Sequence, residues 1–352
     1  MNFFNVSDSE SFMKNLCFCV KSTAFFSAIF RLLGASLLLV VMLTTSAVQA
    51  ADEKFPAKAI TIVLPYAAGS GGDRVTRLVA LFMEKEFNVP FVVLNIAGAG
   101  GIVGGSNAFN RAADGYTLLF WASTPNEMNT LVSKTPYKVS DWVGIGATSP
   151  DNYLVVVGPN SPWKTLKEAV TAMKASPDKF TTGGTGPFGG GATGWIKLSE
   201  ALGISARFAN FGSTNDAKLA VLSGQLDFAF VGDDGSYLDL HKAGKLRILG
   251  IMADEPLDNL RAANIPTIKE ATGVLVEEGT VRGFVTRSSI PPDRLRILQE
   301  GFQRVVTSQE FKRQHIEQLG SYRFYDAKAY TDRLYNAVKD LEVMVPKLKA
   351  MQ

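Results

Sequence analysis

Glycine-rich segments that follow apolar stretches are the part of this sequence best suited to bind an anion. The first is Ala67-Ala-Gly-Ser-Gly-Gly-Asp73, and two more occupy residues 97–105 and 181–191. Where a strand turns through glycines into a helix, backbone N–H groups and the positive end of the helix dipole point at one place. A carboxylate or a phosphate can bind there without lysine or arginine.

Candidate catalytic residues are sparse by comparison. His241 and His315 lie in segments that we expect to be helical and exposed, and neither accompanies a serine in a nucleophile-elbow turn. Two isolated histidines give no metal-ligand spacing. Asp233-Asp234 could supply a general acid and base, although such a pair after a strand is more often a solvated turn. We therefore predict that the protein is not an enzyme and holds no metal or cofactor.

The second glycine-rich segment leaves one alternative open. Gly98-Ala-Gly-Gly-Ile-Val-Gly104, which follows an apolar stretch, is similar to a dinucleotide-binding fingerprint. This similarity favours an exported α/β enzyme that acts on a small anionic substrate. The spacing is not G-x-G-x-x-G, however, and no acidic residue ends a following strand about 20 residues later.

The first 50 residues predict export. Lys14, Lys21 and Arg31 precede an apolar run at residues 32–43, and Val48-Gln-Ala50 provides small residues for cleavage. The run is shorter than the roughly 20 residues that a membrane-spanning helix needs. Both cysteines fall within this segment. The sequence therefore predicts a cleaved signal peptide, a periplasmic location and a mature chain without disulfides.

The charge balance of the sequence argues against a nucleic-acid-binding protein. The whole sequence carries 36 basic and 33 acidic residues, so it has no large excess of positive charge that could bind nucleic acid.

The chain after the signal peptide is about 300 residues long, a length that suggests two domains. Short apolar stretches alternate with amphipathic ones, and this alternation is typical of doubly wound α/β layers. We predict buried strands of a parallel sheet at residues 60–64, 91–94, 117–121, 154–157, 227–231 and 246–251. We predict helices at residues 74–86, 104–111, 166–175, 194–202 and 215–222, with three more that begin near residues 291, 308 and 327.

Several motifs occur in an order that points to a known family. They are Pro65-Tyr-Ala-Ala-Gly-Ser-Gly-Gly-Asp73, Gly98-Ala-Gly-Gly101, Ala113-Asp-Gly-Tyr-Thr-Leu118, Gly184-Thr-Gly186, Leu222-Ser-Gly-Gln-Leu-Asp-Phe228 and Lys242-Ala-Gly-Lys-Leu-Arg247. As an ordered set they resemble the Bug, or TctC-type, periplasmic solute-binding proteins of tripartite tricarboxylate transporters. The resemblance covers essentially all of the chain after the signal peptide.

The resemblance implies a two-lobed, type II-like binding-protein fold with two doubly wound sheets joined by crossing strands. Lobe one would comprise residues 51–152 and 280–352, and lobe two residues 153–279. A small carboxylated solute would bind between the lobes, and the membrane components of a tripartite transporter would receive it. We expect the protein to be a monomer.

The resemblance also implies which residues hold the ligand, through backbone N–H groups, hydroxyls and ordered water. On this sequence they are Tyr66, Ala68, Gly69, Ser70, Asp73, Gly100, Gly101, Thr185 and Gly186. Asp233 follows a predicted strand, and we add it as part of a third ligand-facing loop from lobe two.

A few side chains leave alternatives open. Asp73 could contact the ligand or its water, cap the following helix, or do both. Arg77 is either a solvated side chain or a clamp on the ligand carboxylate. Where members of the family supply a hydroxyl or imidazole after the Gly-x-Gly turn of lobe two, this chain has Pro187 and Phe188. Asp216 stands where they often have proline, and it would favour a ligand with a cationic or donor group if it faces the cleft.

Overall fold

The computed structural model of the protein describes residues 54–351, apart from residues 187, 212–213, 234–235 and 320–321. Of residues 149, 150 and 185 it describes only the backbone. The predicted signal peptide and both cysteines lie outside the described residues. Phe55–Gln352 forms one compact unit. Within the described part of this unit, no helix combines the length and the apolar character needed to cross a membrane.

We call sheet one the group of strands in the order β2-β1-β3-β9-β4. They are β1 (Ile60–Leu64), β2 (Phe91–Asn95), β3 (Thr117–Ala122), β4 (Trp142–Val157) and β9 (Gly279–Arg287). β1 pairs in parallel with β2 and β3, whereas β9 runs antiparallel to β3 and to residues 142–152 of β4. The carboxyl ends of β1, β2 and β3 therefore lie at one edge, where each strand leads into a turn.

Sheet two begins where β4 leaves sheet one. Its strands are the end of β4 with β5 (Thr181–Thr185), β6 (Arg207–Phe211), β7 (Phe228–Gly232) and β8 (Arg247–Ile251). The end of β4 runs antiparallel to both β7 and β8. β5 runs parallel to β6 and β7. A single long strand thus contributes to both sheets.

Helices cover both faces of each sheet. They are α1 (Gly71–Phe87), α2 (Ile102–Phe109), α3 (Pro125–Val132), α4 (Leu166–Ala175), α5 (Gly190–Leu202), α6 (Thr214–Leu222), α7 (Ser236–Lys242), α8 (Asp258–Ala262), α9 (Ile268–Thr272), α10 (Pro292–Thr307), α11 (Gln309–Leu319) and α12 (Ala327–Ala350). On sheet one, α1, α10 and α11 share one apolar core, and α2 and α12 share the other. On sheet two, α6 and α7 pack on one face and α4 and α5 on the opposite face. The predicted doubly wound α/β fold is confirmed.

Two predicted strands have the wrong direction. We expected residues 154–157 and 246–251 to belong to a parallel sheet, but β4 and β8 pair antiparallel. A short apolar run shows that a strand is buried on both faces. Parallel and antiparallel strands both give such a run when helices cover the two faces of the sheet, so the run does not reveal the strand direction. β2 is also less buried than predicted, since alternate residues of this strand are exposed at the edge of sheet one.

The last turns of α12 leave sheet one and pack against α5. Leu341 and Leu348 form an apolar cluster with Ala192 and Ile196 of α5 and with Met128 of α3. We call this group the C-terminal cluster. Phe188, which stands in the glycine-rich segment before α5, packs against it as well. The hydrophobic residue that replaces the donor expected in lobe two is thus in contact with apolar side chains.

Candidate functional site

The first glycine-rich segment forms a tight turn between β1 and α1. Gly69 has a φ of +80°, a conformation that favours glycine, and its N–H donates to Asp73 Oδ2 over 2.9 Å. Ser70 is the N-cap of α1, because its hydroxyl accepts from the Asp73 N–H over 3.2 Å. The interpretation of Asp73 as the helix cap is therefore wrong. Asp73 lies in the first turn, and its carboxylate holds the preceding loop in place.

The Asp73 carboxylate is buried and heavily hydrogen-bonded. Arg77 Nε donates to Oδ2 over 3.0 Å, and Asn95 Nδ2 donates to Oδ1 over 3.0 Å. The hydrogen bond from Arg77 is the main reason that the pKa of Asp73 is lowered to about 2. Arg77 was expected to be either solvated or a clamp on the ligand carboxylate. Its side chain is exposed, but it is hydrogen-bonded to Asp73 and to Asn95, so neither alternative describes its contacts fully.

The second glycine-rich segment lies against the first. Gly100 and Gly101 have φ values of +64° and +107° in the short 3-10 helix before α2. A Cβ at Gly101 would lie 3.7 Å from the Tyr66 hydroxyl oxygen. That hydroxyl donates to Asn126 Oδ1 over 2.8 Å, and burial raises the pKa of Tyr66, so the hydroxyl stays protonated. The structure thus brings the predicted residues Tyr66, Gly100 and Gly101 together.

The third glycine-rich segment leads from β5 into α5. Gly186 has a φ of +68°, and its N–H donates to the Phe211 carbonyl over 3.0 Å. Thr185 is the last residue of β5 and pairs with Phe211. Asp233 follows β7, is buried, and donates its N–H to the Asn152 carbonyl over 2.9 Å. The predicted residues of lobe two therefore lie at the carboxyl ends of neighbouring parallel strands.

β4 and its antiparallel neighbour β9, which we call the crossing strands, supply side chains that the sequence analysis missed. Alternation along a strand places Asp151 and Tyr153 on one face of β4, and Thr280 and Arg282 on one face of β9. Arg282 forms an ion pair with Asp151, and Tyr153 is hydrogen-bonded to Thr280. The strand that carries Thr280 and Arg282 was not predicted, so the sequence analysis could not place these two side chains near the glycine-rich turns.

These side chains approach both groups of glycine-rich turns. Arg282 Nη2 lies 3.7 Å from the position of a Cβ at Gly71, the first residue of α1. The Tyr153 hydroxyl oxygen lies 2.4 Å from the equivalent position at Gly190, the first residue of α5. The N-termini of α1 and α5 therefore flank the same face of the crossing strands, and we call the space between them the cleft.

A cavity of about 710 Å³ adjoins the crossing strands on the side of α12. Asp151, Asn152 and Val281 line it together with residues of α12, and none of the ten predicted site residues does. Several carboxylates surround it, among them Glu278, which is buried and paired with Lys197 over 2.8 Å. Because this cavity is rich in acidic groups, the cleft is the better site for an anion.

Residues 75–335 match the family model described as "Tripartite tricarboxylate transporter family receptor". The chain belongs to this family. We refer to it below as the receptor. Members of the family bind solutes and are not enzymes, so the prediction that the protein is not an enzyme is confirmed and the exported-enzyme alternative has no support.

Individual relatives agree with this assignment. The receptor is 25% identical over 304 residues to the "UPF0065 protein in gbd 5'region" of Cupriavidus necator, which covers 85% of the receptor and 90% of the relative. A TctC solute-binding protein from Polaromonas superposes with a TM-score of 0.72 at 23% identity, covering 84% of the receptor and all of that chain. MatC from Rhodopseudomonas palustris, solved with bound malate, gives a TM-score of 0.65 at 22% identity, with coverage of 83% and 100%. These structures share the fold of the receptor.

The two histidines take no part in the cleft as described. His241 stands near the end of α7, where Nδ1 accepts the Ile248 N–H over 3.3 Å. His315 was predicted to be exposed, which is wrong: it is fully buried between Phe311 and Tyr322. An aromatic environment on one side of α11 accommodates the imidazole ring there.

The low pKa of Asp73 predicts a dependence of stability on pH. Because the folded pKa of about 2 lies below the ordinary value of 3.8, the ionised carboxylate stabilises the receptor above about pH 4, and this contribution disappears as the pH falls towards 2. Since Arg77 is exposed, we expect about 1–2 kcal/mol. Urea unfolding of the parent and of Asp73→Asn should show a difference that shrinks over this range. A difference that stays constant with pH would contradict the prediction.

Proposed function

We propose that the receptor captures a small carboxylated solute in the periplasm and delivers it to the membrane components of a tripartite transporter. Residues 1–50 would direct export and would be removed from the mature protein. The solute would bind between lobe one, residues 51–152 and 280–352, and lobe two, residues 153–279. The receptor would act as a monomer.

One observation carries this proposal: two helix N-termini preceded by glycine-rich turns flank the same face of the crossing strands. Each N-terminus presents backbone N–H groups and a partial positive charge. A carboxylate that bridges them would satisfy donors from both lobes at once. The malate bound to MatC, which has the same fold, supports a solute of this class.

The proposed ligand contacts come from the turns and the strands beneath them. Gly69 N–H is engaged by Asp73, so we assign Asp73 the role of holding the turn, and assign direct contacts to its neighbours. Tyr66 and Gly101 form the adjoining wall. The proposed site comprises Tyr66, Ala68, Gly69, Ser70, Gly100, Gly101, Thr185, Gly186 and Asp233 around the ligand, Asp73 as the residue that holds the first turn, and Arg282 as an addition.

A thermal-shift screen of the mature protein against about a hundred carboxylates tests the proposal. A ligand at 100 times its dissociation constant should add about 2.7 kcal/mol to the free energy of unfolding. Mass spectrometry of the incubated ligand should return it unaltered, because the receptor binds without turnover. The absence of a shift with every carboxylate would contradict the carboxylate class, and conversion beyond one equivalent would contradict pure binding.

Closure of the lobes is a separate prediction. Because the proposed ligand contacts both lobes, binding should favour a compact state. Small-angle X-ray scattering should give a smaller radius of gyration with a saturating ligand than without it. An unchanged scattering profile in the presence of a ligand that binds by calorimetry would rule out hinge closure on binding.

A further inference from the structure

We propose that the ion pair between Arg282 and Asp151 makes the receptor selective for zwitterionic solutes, which carry an ammonium group beside the carboxylate. The inference rests on the proposed function and names the solute class of the same cleft. Its starting point is the position of the pair. Both side chains are largely buried, with 23% of Arg282 and 11% of Asp151 exposed. Arg282 approaches the N-terminus of α1, and Asp151 stands between Arg282 and the cavity beside α12.

Arg282 is placed to bind a carboxylate at the N-terminus of α1. Its Nη2 approaches the Gly71 Cβ position to 3.7 Å, so two positive groups, a guanidinium and a helix N-terminus, meet there. The nearby Asp73 does not neutralise them alone, because Arg77, Asn95 and the Gly69 N–H already bind its carboxylate. A ligand carboxylate at this point would face the guanidinium and the helix N-terminus together.

Asp151 determines what else the ligand must carry. Both Arg282 Nη atoms contact the Asp151 carboxylate. A solute with only a carboxylate would share the guanidinium with Asp151, leaving two anions and one cation in a largely buried space. Excess buried charge of this kind is costly. A solute that also carries an ammonium group gives each charged side chain an opposite partner.

The pair could serve a purely structural purpose instead, since it links two crossing strands. Asp151 stands opposite Thr280 and Ser149 opposite Arg282 in the β4–β9 register, so the ion pair runs diagonally across the strands. A strand tie of this kind would stabilise the receptor without regard to the class of solute. Selectivity between matched ligands therefore separates the two roles.

The test is isothermal titration calorimetry with matched pairs of probes: L-glutamate and glutarate, L-leucine and 4-methylpentanoate, β-alanine and propionate. For at least one pair, the parent should bind the amino acid about tenfold or more tightly than its desamino counterpart. Asp151→Asn should abolish this preference by weakening the amino acid at least tenfold, while the desamino acid keeps its affinity or binds more tightly because the competing anion is gone. Arg282→Gln should weaken both members.

Glu278→Gln is the matched control. Glu278 also belongs to a buried ion pair and lines the same cavity as Asp151, but its carboxylate is paired with Lys197 and not with Arg282. This variant should keep the preference of the parent. Circular dichroism and melting temperature should accompany each variant, and Asp151→Glu, which retains the charge, should retain part of the preference.

Two results would overturn the inference, and a third would overturn the proposed function. If the parent binds desamino acids as tightly as amino acids, the cleft does not select zwitterions. If Asp151→Asn weakens both members equally and lowers the melting temperature, the pair is structural. If no probe and no member of the carboxylate screen binds, the proposed function itself fails.

Discussion

Replacement of Asp73 by alanine is expected to lower the free energy of unfolding by about 2–4 kcal/mol and to weaken carboxylate binding by at least about tenfold. The variant leaves the Gly69 N–H and the Asn95 amide without their buried acceptor. Because these hydrogen bonds fix the turn before α1, their loss should lower ligand affinity as well as stability. Urea unfolding and calorimetry with a confirmed ligand measure the two effects.

Glu300→Ala is the control for the ion-pair part of this effect. Glu300 pairs with Arg296 at the same i,i+4 spacing, but both side chains are at least half exposed. Exposed pairs of this kind contribute only about 0.3–0.5 kcal/mol, so this variant should resemble the parent. If Asp73→Ala melts at a lower temperature yet binds with the parent affinity, the turn does not position the ligand.

Replacement of Gly69 by valine should abolish most ligand binding. Gly69 has a φ of +80°, which a β-branched residue adopts only with strain, and a side chain there would stand over the turn where the ligand is proposed to approach. We expect the affinity to fall by at least about tenfold, together with a destabilisation of about 1–3 kcal/mol from strain. Calorimetry and thermal unfolding of the same preparation separate the two quantities.

Gly203→Val provides a matched control. Gly203 also has a positive φ, +62°, and, like Gly69, has no neighbouring atom within 4 Å of a built Cβ. It ends α5, at the far end of that helix from the cleft. Both variants should therefore lose similar stability, and only Gly69→Val should lose affinity. Equal affinities in the two variants would show that the first turn is structural.

The elements that the sequence predicted well share a simple physical basis. Residues 60–64 and 166–175 match β1 and α4 at both ends, because each combines strong periodicity with a clear boundary. In α4 that boundary is a capping box between Thr165 and Glu168. Such local signals depend only on neighbouring residues, so a single sequence is sufficient to identify them.

Of the strands that were missed, β5, β6 and the first part of β4 lack such signals. β5 reads Thr-Thr-Gly-Gly-Thr, and β6 contains Arg207 and Asn210, so neither gives an apolar run. Only 154–157 was predicted of β4, whose first part contains glycines and register shifts. Pairing with distant strands, which the sequence pattern does not encode locally, stabilises all three.

In the candidate site too, some residues could be predicted from the sequence and others could not. The glycine-rich turns were visible because their composition alone indicates positive φ values and close backbone approach. Arg282 and Asp151 were not, since only the register of β4 and β9 brings them together. The lobe boundaries and the ligand contacts stay predictions. The binding experiments above test the contacts, and the scattering experiment tests the movement of the lobes.

The C-terminal cluster has a mechanical consequence for any movement between the two sheets. Leu341 and Leu348 are buried against α5, and exposing each would cost about 1.5–3 kcal/mol. If the two sheets move apart on the side of α12, the contact between these leucines and α5 must break. Movement on the opposite side leaves this contact intact and does not incur that free-energy cost. For the proposed closure of the lobes, we therefore expect the end of α12 to act as a pivot and the solute to enter the cleft from the side away from it.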